Sequence, residues 1–357
     1  MSYYILPKSN NKLILNPCVK NVEFPYVSAS LYNQFNSLTT QWNNFKDTNS
    51  LFSKNEIENY INPYFFLYST AFNSNLNVSK LDFDNSLFYE IVEIVNNLNV
   101  LQPFKNDNII VSIISDQFDY VYKAINYNRK ENCDVFLNAK IEDKLQTKCN
   151  IVIIDKSCSD YDGLTYFQFL TCILKVIINN LDESGVCIIK IDDLFSKTSL
   201  EFVYILTTLF DKTFIINPNA SCPYSLKKYI VCKHLIFSED FVDHLCFEDN
   251  INYTQFINVD LPVIFVNKMN DINIITGQKN LECLIQKINL FNNKHDLEKM
   301  TIIRKSNVEK CVLWCEKNKI PCNKFLDKTN IFLLNETIDD IEYLLEDTGS
   351  VNKFVSV

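Results

Sequence analysis

Glycine is almost missing from this chain: 4 in 357 residues, where average usage near 7% would give roughly 25. Glycine is the residue that lets backbone approach a phosphate or cofactor closely. A chain this poor in it excludes most glycine-built cofactor cradles. No Gly-x-x-x-x-Gly-Lys occurs, and Gly277-Gln278-Lys279 is a lone turn. An excess of positive charge is missing too. The 34 basic and 43 acidic side chains leave −9, which argues against non-specific coating of nucleic acid. No apolar run reaches the length of a membrane span; the longest, Phe167 to Ile178, is broken by Lys175. The opening Met1-Ser2-Tyr3-Tyr4-Ile5-Leu6-Pro7-Lys8 lacks a basic region followed by an apolar stretch, so no secretory leader is expected. The 3 histidines, His234, His244 and His295, are scattered and offer no pattern for nucleophilic catalysis.

Other residues are plentiful. A hydrophobic share of 47%, with 13% aromatic, supplies a core and excludes a disordered chain. The 13 cysteines are odd in number and irregular in spacing, so free thiols in a reducing compartment are expected. A cytoplasmic location is expected, or a viral factory or virion if the chain is viral; the many Asn, Ile, Lys and Phe suggest an AT-rich genome, such as that of a large DNA virus or of certain protists. Cys311, Cys315, Cys322 and His295 could be assembled into a zinc site, but the first two lie one helical turn apart among core-type residues. Free helical thiols are the preferred reading, and no metal is expected.

Residues 1–80 read as an irregular N-terminal extension, punctuated by Pro17, Pro25 and Pro63. From Ser86 the pattern changes. Leu87, Phe88, Ile91, Val92, Val95 and Leu98 recur at helical spacing. Asn108–Ile114, Asn150–Asp155, Gly185–Ile191, Thr213–Ile216 and Tyr229–Lys233 are short apolar runs of the kind that buried strands show. Helical stretches, Thr165–Leu181 and Leu200–Phe210, lie between them. The fold class expected is α/β: a Rossmann-like sheet with helices on both faces and an antiparallel edge pair. That domain spans 81–235. A helical C-terminal extension, 236–357, follows, with helices over Gln278–Asn292, Asp296–Asn318 and an acidic Leu334–Leu345.

Four segments in order resemble the FtsJ-type 2′-O-ribose methyltransferases, a family that includes viral cap methyltransferases. That family carries a segment Lys-Pro-x-Ala-Ser-Arg-x-x-Ser-x-Glu-x-Tyr-x-Val-Cys. Here the chain reads Asn217-Pro-Asn-Ala-Ser-Cys-Pro-Tyr-Ser-Leu-Lys-Lys-Tyr-Ile-Val-Cys232, matching in spacing and in Pro, Ala, Ser, Ser, Tyr and Val-Cys. Ser86-Leu-Phe-Tyr-Glu-Ile-Val-Glu-Ile94 is similar to the opening helix. Ile151–Asp155 with Asp162-Gly163 resembles the strand and loop that present a central aspartate. Ser184–Lys190 resembles the strand that presents the catalytic lysine.

The resemblance implies a methyltransferase sheet and a Lys-Asp-Lys-Glu set, in which a lysine of lowered pKa deprotonates the ribose 2′-oxygen for attack on S-adenosylmethionine. Residue by residue, the set maps to Glu90, Asp155, Lys190 and Lys227. The middle two are retained and the outer two have exchanged sign. Glu90 and Lys227 are expected to approach each other near Asp155 and Lys190, as a remnant of that set. The family's glycine-rich turn after the first strand is replaced by Ser115-Asp116-Gln117-Phe118-Asp119-Tyr120-Val121, without glycine and with bulky rings. No cofactor-binding residues are therefore assigned, and no cofactor is expected. The implied role is a catalytically degenerate methyltransferase-like protein, leaning away from an enzyme. It would act as a partner or regulatory subunit in mRNA capping or transcription, and is similar in that respect to the small non-catalytic subunit of the poxvirus capping enzyme. An active RNA cap 2′-O-methyltransferase with an unusual tetrad, using S-adenosylmethionine, is the alternative. A structural or virion protein reusing the fold is the third reading. The partner expected is another protein, a catalytic capping or transcription subunit; RNA is weakly supported by Lys8, Lys12, Lys20, Lys227, Lys228 and Lys233, and no membrane is involved. Tyr3, Tyr4, Phe24, Tyr26, Tyr60, Phe65 and Phe66 are aromatic residues that either anchor an interface or cover the core.

Overall fold

The computed structural model describes residues 2–9, 15–20, 22–45, 54–68, 77–81, 83–129, 134–141, 143–161, 164–236, 251–293 and 297–323. These fall into two compact units, one from Met1–Gln41 and Leu87–Glu282, the other from Trp42–Ser86 and Cys283–Val357.

The first unit is built on seven strands: β1 (Ser2–Leu6), β2 (Ile110–Ser115), β3 (Val135–Asn138), β4 (Cys149–Asp155), β5 (Leu181–Ile191), β6 (Phe210–Asn217) and β7 (Lys228–Leu235). Their order across the sheet is β1-β6-β7-β5-β4-β2-β3. Strands β2 to β5 pair in parallel, whereas β7 is antiparallel to both β5 and β6. The expected antiparallel pair is β6 and β7. The expected α/β sheet is present, and β1 adds a further strand outside the pair, antiparallel to β6.

Buried parallel strands are covered on both faces, which is why β2, β4 and β5 read as near-continuous apolar runs. Ile153, Ile188 and Val231 are each fully buried, and burial of such a side chain contributes about 1.5–3 kcal/mol. Helix α3 (Ser86–Leu98) precedes β2, and the helices between later strands are α4 (Phe118–Arg129), α5 (Tyr166–Asn180) and α6 (Lys197–Leu209). The starts of α5 and α6 are set by side-chain caps. Thr165 Oγ1 accepts from Gln168 N at the head of α5, and Ser196 Oγ accepts from Ser199 N at the head of α6. At the start of β5, a Cβ on Gly185 would lie 2.8 Å from the carbonyl oxygen of Asp182, so this turn needs glycine.

Several elements differ from the expectation. Residues 1–80 are not irregular: they carry β1, α1 (Ala29–Asn44) and α2 (Lys54–Ile61). Strand β3 was not anticipated. Helix α7 (Val263–Asn292) begins fifteen residues before Gln278, and α8 (Leu297–Asn318) follows it. The acidic stretch Leu334–Leu345, His295, and Asp162-Gly163 lie outside the described residues.

In the second unit, Asn307 Nδ2 donates to the Tyr60 carbonyl at 2.7 Å. Trp42 Nε1 donates to Glu58, and the Lys287 ammonium stands 4.2 Å from the indole centroid. Tyr60, Phe65 and Phe66 are buried, so these rings cover a core. Cys311, Cys315 and Cys322 carry free thiols, and no cluster of metal-ligating groups occurs among the described residues.

Candidate active site

The carboxyl ends of β4 and β5 bring Asp155 and Lys190 side by side, with Lys190 Nζ 2.8 Å from Asp155 Oδ1. On the next strand Tyr229 stands opposite Lys190 in register, and the ammonium lies 5.6 Å from its ring centroid. Helix α3 crosses this face. Its Glu90 accepts a 2.6 Å hydrogen bond from the Tyr229 hydroxyl, and both groups are buried. Three of the four mapped residues therefore converge: Glu90, Asp155 and Lys190. Lys227 does not join them. Its ion-pair partner among the described residues is Asp192, at 3.2 Å, rather than Glu90. Asp192 in turn accepts from Ser157 Oγ and from the Cys158 amide.

The electrostatics follow from this geometry. Burial pulls the Lys190 pKa down, but Glu90, Asp155 and Asp192 outweigh it and hold the ammonium above its ordinary value. Burial, then Glu90 and Asp155, push the Tyr229 phenol well above its usual range. The neighbouring Lys228, on the opposite face of β7, goes the other way. Buried and paired with no carboxylate closely enough to compensate, it falls to about 8; its ammonium donates to the Leu226 carbonyl. What the arrangement offers at neutral pH is a charged Lys190, a neutral Tyr229 and carboxylates already engaged.

The loops around the site are held from several sides. Glu93, one turn beyond Glu90 on α3, accepts from the amides of Asn219 and Ala220 at 2.9 and 3.2 Å. Asn273 and Asn280, seven residues apart on one face of α7, donate to the carbonyls of Leu194 and Ser225 at 2.7 and 2.6 Å. The Phe195 carbonyl accepts from the amides of Tyr26 and Val27. Sequence reasoning missed Tyr229, Asp192 and Glu93 as members of the site. The alternation of β7 could have found the first, since it places Tyr229 on the Lys190 face. Nothing local announces the pairing of Lys227 with Asp192.

The resemblance implies S-adenosylmethionine, and the residues present do not fit it. In an open α/β sheet a ligand lies where the strand order reverses; here that is between β2 and β4. Lys156, just past β4, forms an ion pair with Asp116, just past β2, so a side-chain bridge spans this crevice. The Ser115 hydroxyl accepts from the Gln117 amide and faces Asp155 at 3.4 Å. Phe118 stacks on Tyr122 as α4 begins. No backbone amide is freed there by a glycine.

Residues 96–235 match the model of the FtsJ-like methyltransferase family. Two relatives share the name cap-specific mRNA (nucleoside-2′-O-)-methyltransferase 1. The Homo sapiens protein is 27% identical over 143 residues, covering 39% of this chain and 17% of its own length. The Drosophila melanogaster protein is 42% identical over 67 residues, covering 19% and 8%. Among solved structures, one described as a ribosomal RNA methyltransferase from Plasmodium falciparum is 16% identical, covers 43% of this chain and 99% of its own, and has a TM-score of 0.35. The matches thus span under a fifth of those curated relatives. The strand order, the Asp155–Lys190 pair and the matching sequence model coincide on one segment: over residues 96–235 the chain is similar to the FtsJ-like methyltransferases.

Proposed function

We propose that this domain no longer transfers methyl groups and that the chain serves as a non-catalytic partner or regulatory subunit in mRNA capping or transcription. The observation that carries this reading is the setting of Lys190. A general base for a ribose hydroxyl must be neutral in a useful fraction near the working pH. A cation at position 90 would push Lys190 toward that state; Glu90 instead adds to the field that keeps it protonated. The bridged crevice between β2 and β4 supports the same reading. The names of the relatives, which are cap-specific mRNA methyltransferases, support a setting in RNA capping. A reducing compartment, the cytoplasm or a viral factory within it, goes with the free cysteines of the described residues.

A second reading, an active cap 2′-O-methyltransferase, is favoured by one observation: Asp155 and Lys190 are paired at 2.8 Å at adjoining strand ends. Incubating the purified chain with radiolabelled S-adenosylmethionine and capped RNA separates the two. The expected result is no transfer above that of a Lys190→Ala variant. Lys190-dependent transfer would establish the active reading instead.

A further inference from the structure

The sheet face that α3 crosses extends past that helix. Helix α3 lies over the Tyr229 face through Glu90, and its last residue, Leu98, accepts from Lys233 Nζ at 2.5 Å. Beyond it the same face passes onto β6 and β1. There Ile5 stands opposite Phe214 in register, and the Tyr3 ring lies 6.2 Å from the Phe214 ring at 67°. Tyr3 and Ile5 are 53% and 54% exposed. Two apolar side chains on one strand face, with a third beside them, form a patch of the sort that marks an interaction surface.

The same face carries two lysines side by side. Lys212 is directly opposite Lys233 in the β6–β7 register, and like charges placed so repel each other. Neither lysine has a carboxylate ion-pair partner among the described residues. Burial and then Lys212 lower the Lys233 pKa, while the carbonyl end of α3 supplies only a partial negative charge. The patch is therefore apolar with a cationic end.

We propose that this face seats an amphipathic helix of a partner protein, apolar on its inner side and acidic on the flank that meets Lys212 and Lys233, lying beside α3 in the same layer. Helices packed side by side on a sheet are how α/β layers bury such a face. Single-stranded RNA fits less well: the rings stand edge to face with Ile5 beside them, which leaves no flat platform for stacked bases. A second copy fits less well too, because a two-fold contact centred on this patch would set the cationic end of each copy against the apolar end of the other. The proposal rests on the reading of the chain as an associating subunit.

The test places a photo-reactive benzophenone amino acid at Ile5 in the full chain, irradiates it in the native source, and maps the adduct. The expected adduct is one acidic peptide whose apolar residues recur three and four apart. Lys212→Glu, at an exposed position opposite Lys233, is expected to reduce the adduct about tenfold without lowering Tm, and an acidic-to-Lys reversal in the captured helix to restore it. Adducts with RNA or with a second copy, or a yield indifferent to Lys212→Glu, would overturn the proposal. The same amino acid at the exposed Ile302 distinguishes the two failures. A partner captured only there overturns this surface but keeps the associating reading, whereas a chain recovered alone overturns both.

Discussion

The two halves of the sheet's carboxyl end have fared differently. On the β4–β5–β7 side, charged and phenolic side chains build a paired network: Lys190 on Asp155, Tyr229 on Glu90, Lys227 on Asp192. On the β2–β4 side, a turn that should present bare backbone is closed by side chains, Asp116 to Lys156 and Gln117 to Ser115. The difference is physical. One ion pair can be replaced by another with the same sheet beneath it, but close approach of backbone to a ligand has no side-chain substitute once glycine is gone. A fold can keep the first kind of site in altered form while it loses the second outright.

The largest effect is expected at the opposite, amino end of β2. Arg129, at the end of α4, is buried against Asp134 at 2.5 Å and also donates to the Phe104 and Asp107 carbonyls. Asp134 further accepts from the Ile109 amide at the head of β2. Asp134→Ala would strand a buried guanidinium, and a loss of about 3–5 kcal/mol is expected in urea unfolding. A loss below about 1 kcal/mol would mean that this half is held by apolar packing alone.

Lys228 comes next. Its folded pKa of about 8 lies below the ordinary 10.5, so between those values the unfolded chain binds the extra proton. Stability therefore rises as pH increases from about 8 to about 10.5, by up to about 3 kcal/mol. Lys228→Met is expected to raise stability at pH 7 and to abolish that rise; a variant that is less stable at pH 7 would show that the ammonium is well solvated in the fold. The smallest effect belongs to Lys227. Its pair with Asp192 is 46% and 26% exposed, and Lys227→Ala is expected to change stability by about 0–1 kcal/mol. A larger loss would assign Lys227 a structural role in the site loops.

These contrasts also explain what could be read without coordinates. The central strands were legible because burial on both faces leaves uninterrupted apolar runs, as in Ile151–Ile154. Asp155 and Lys190 were legible because the segments that carry them resemble those of a known family in order and register. Strand β3 was not: Val135-Phe-Leu-Asn138 is short and exposed at both ends. Strand β1 pairs with residues more than two hundred positions away, and no local pattern reports such a partner. The first half of α7 is blurred by exposed Val263, Ile264, Ile274 and Ile275, which break the helical alternation. The partner of Lys227 depends on a loop whose path Glu93 sets from a distant helix.

The central proposal is that the β2–β4 crevice does not bind S-adenosylmethionine although the Asp155–Lys190 pair is in place. It is tested most directly by thermal unfolding of the full chain with and without S-adenosylmethionine. A ligand that binds only the folded state stabilises it by RT ln(1 + [L]/Kd), about 2.7 kcal/mol at roughly 100 times Kd. The account predicts no shift up to millimolar ligand. A clear rise in Tm at sub-millimolar S-adenosylmethionine, abolished by a bulky substitution at Ser115, would contradict it.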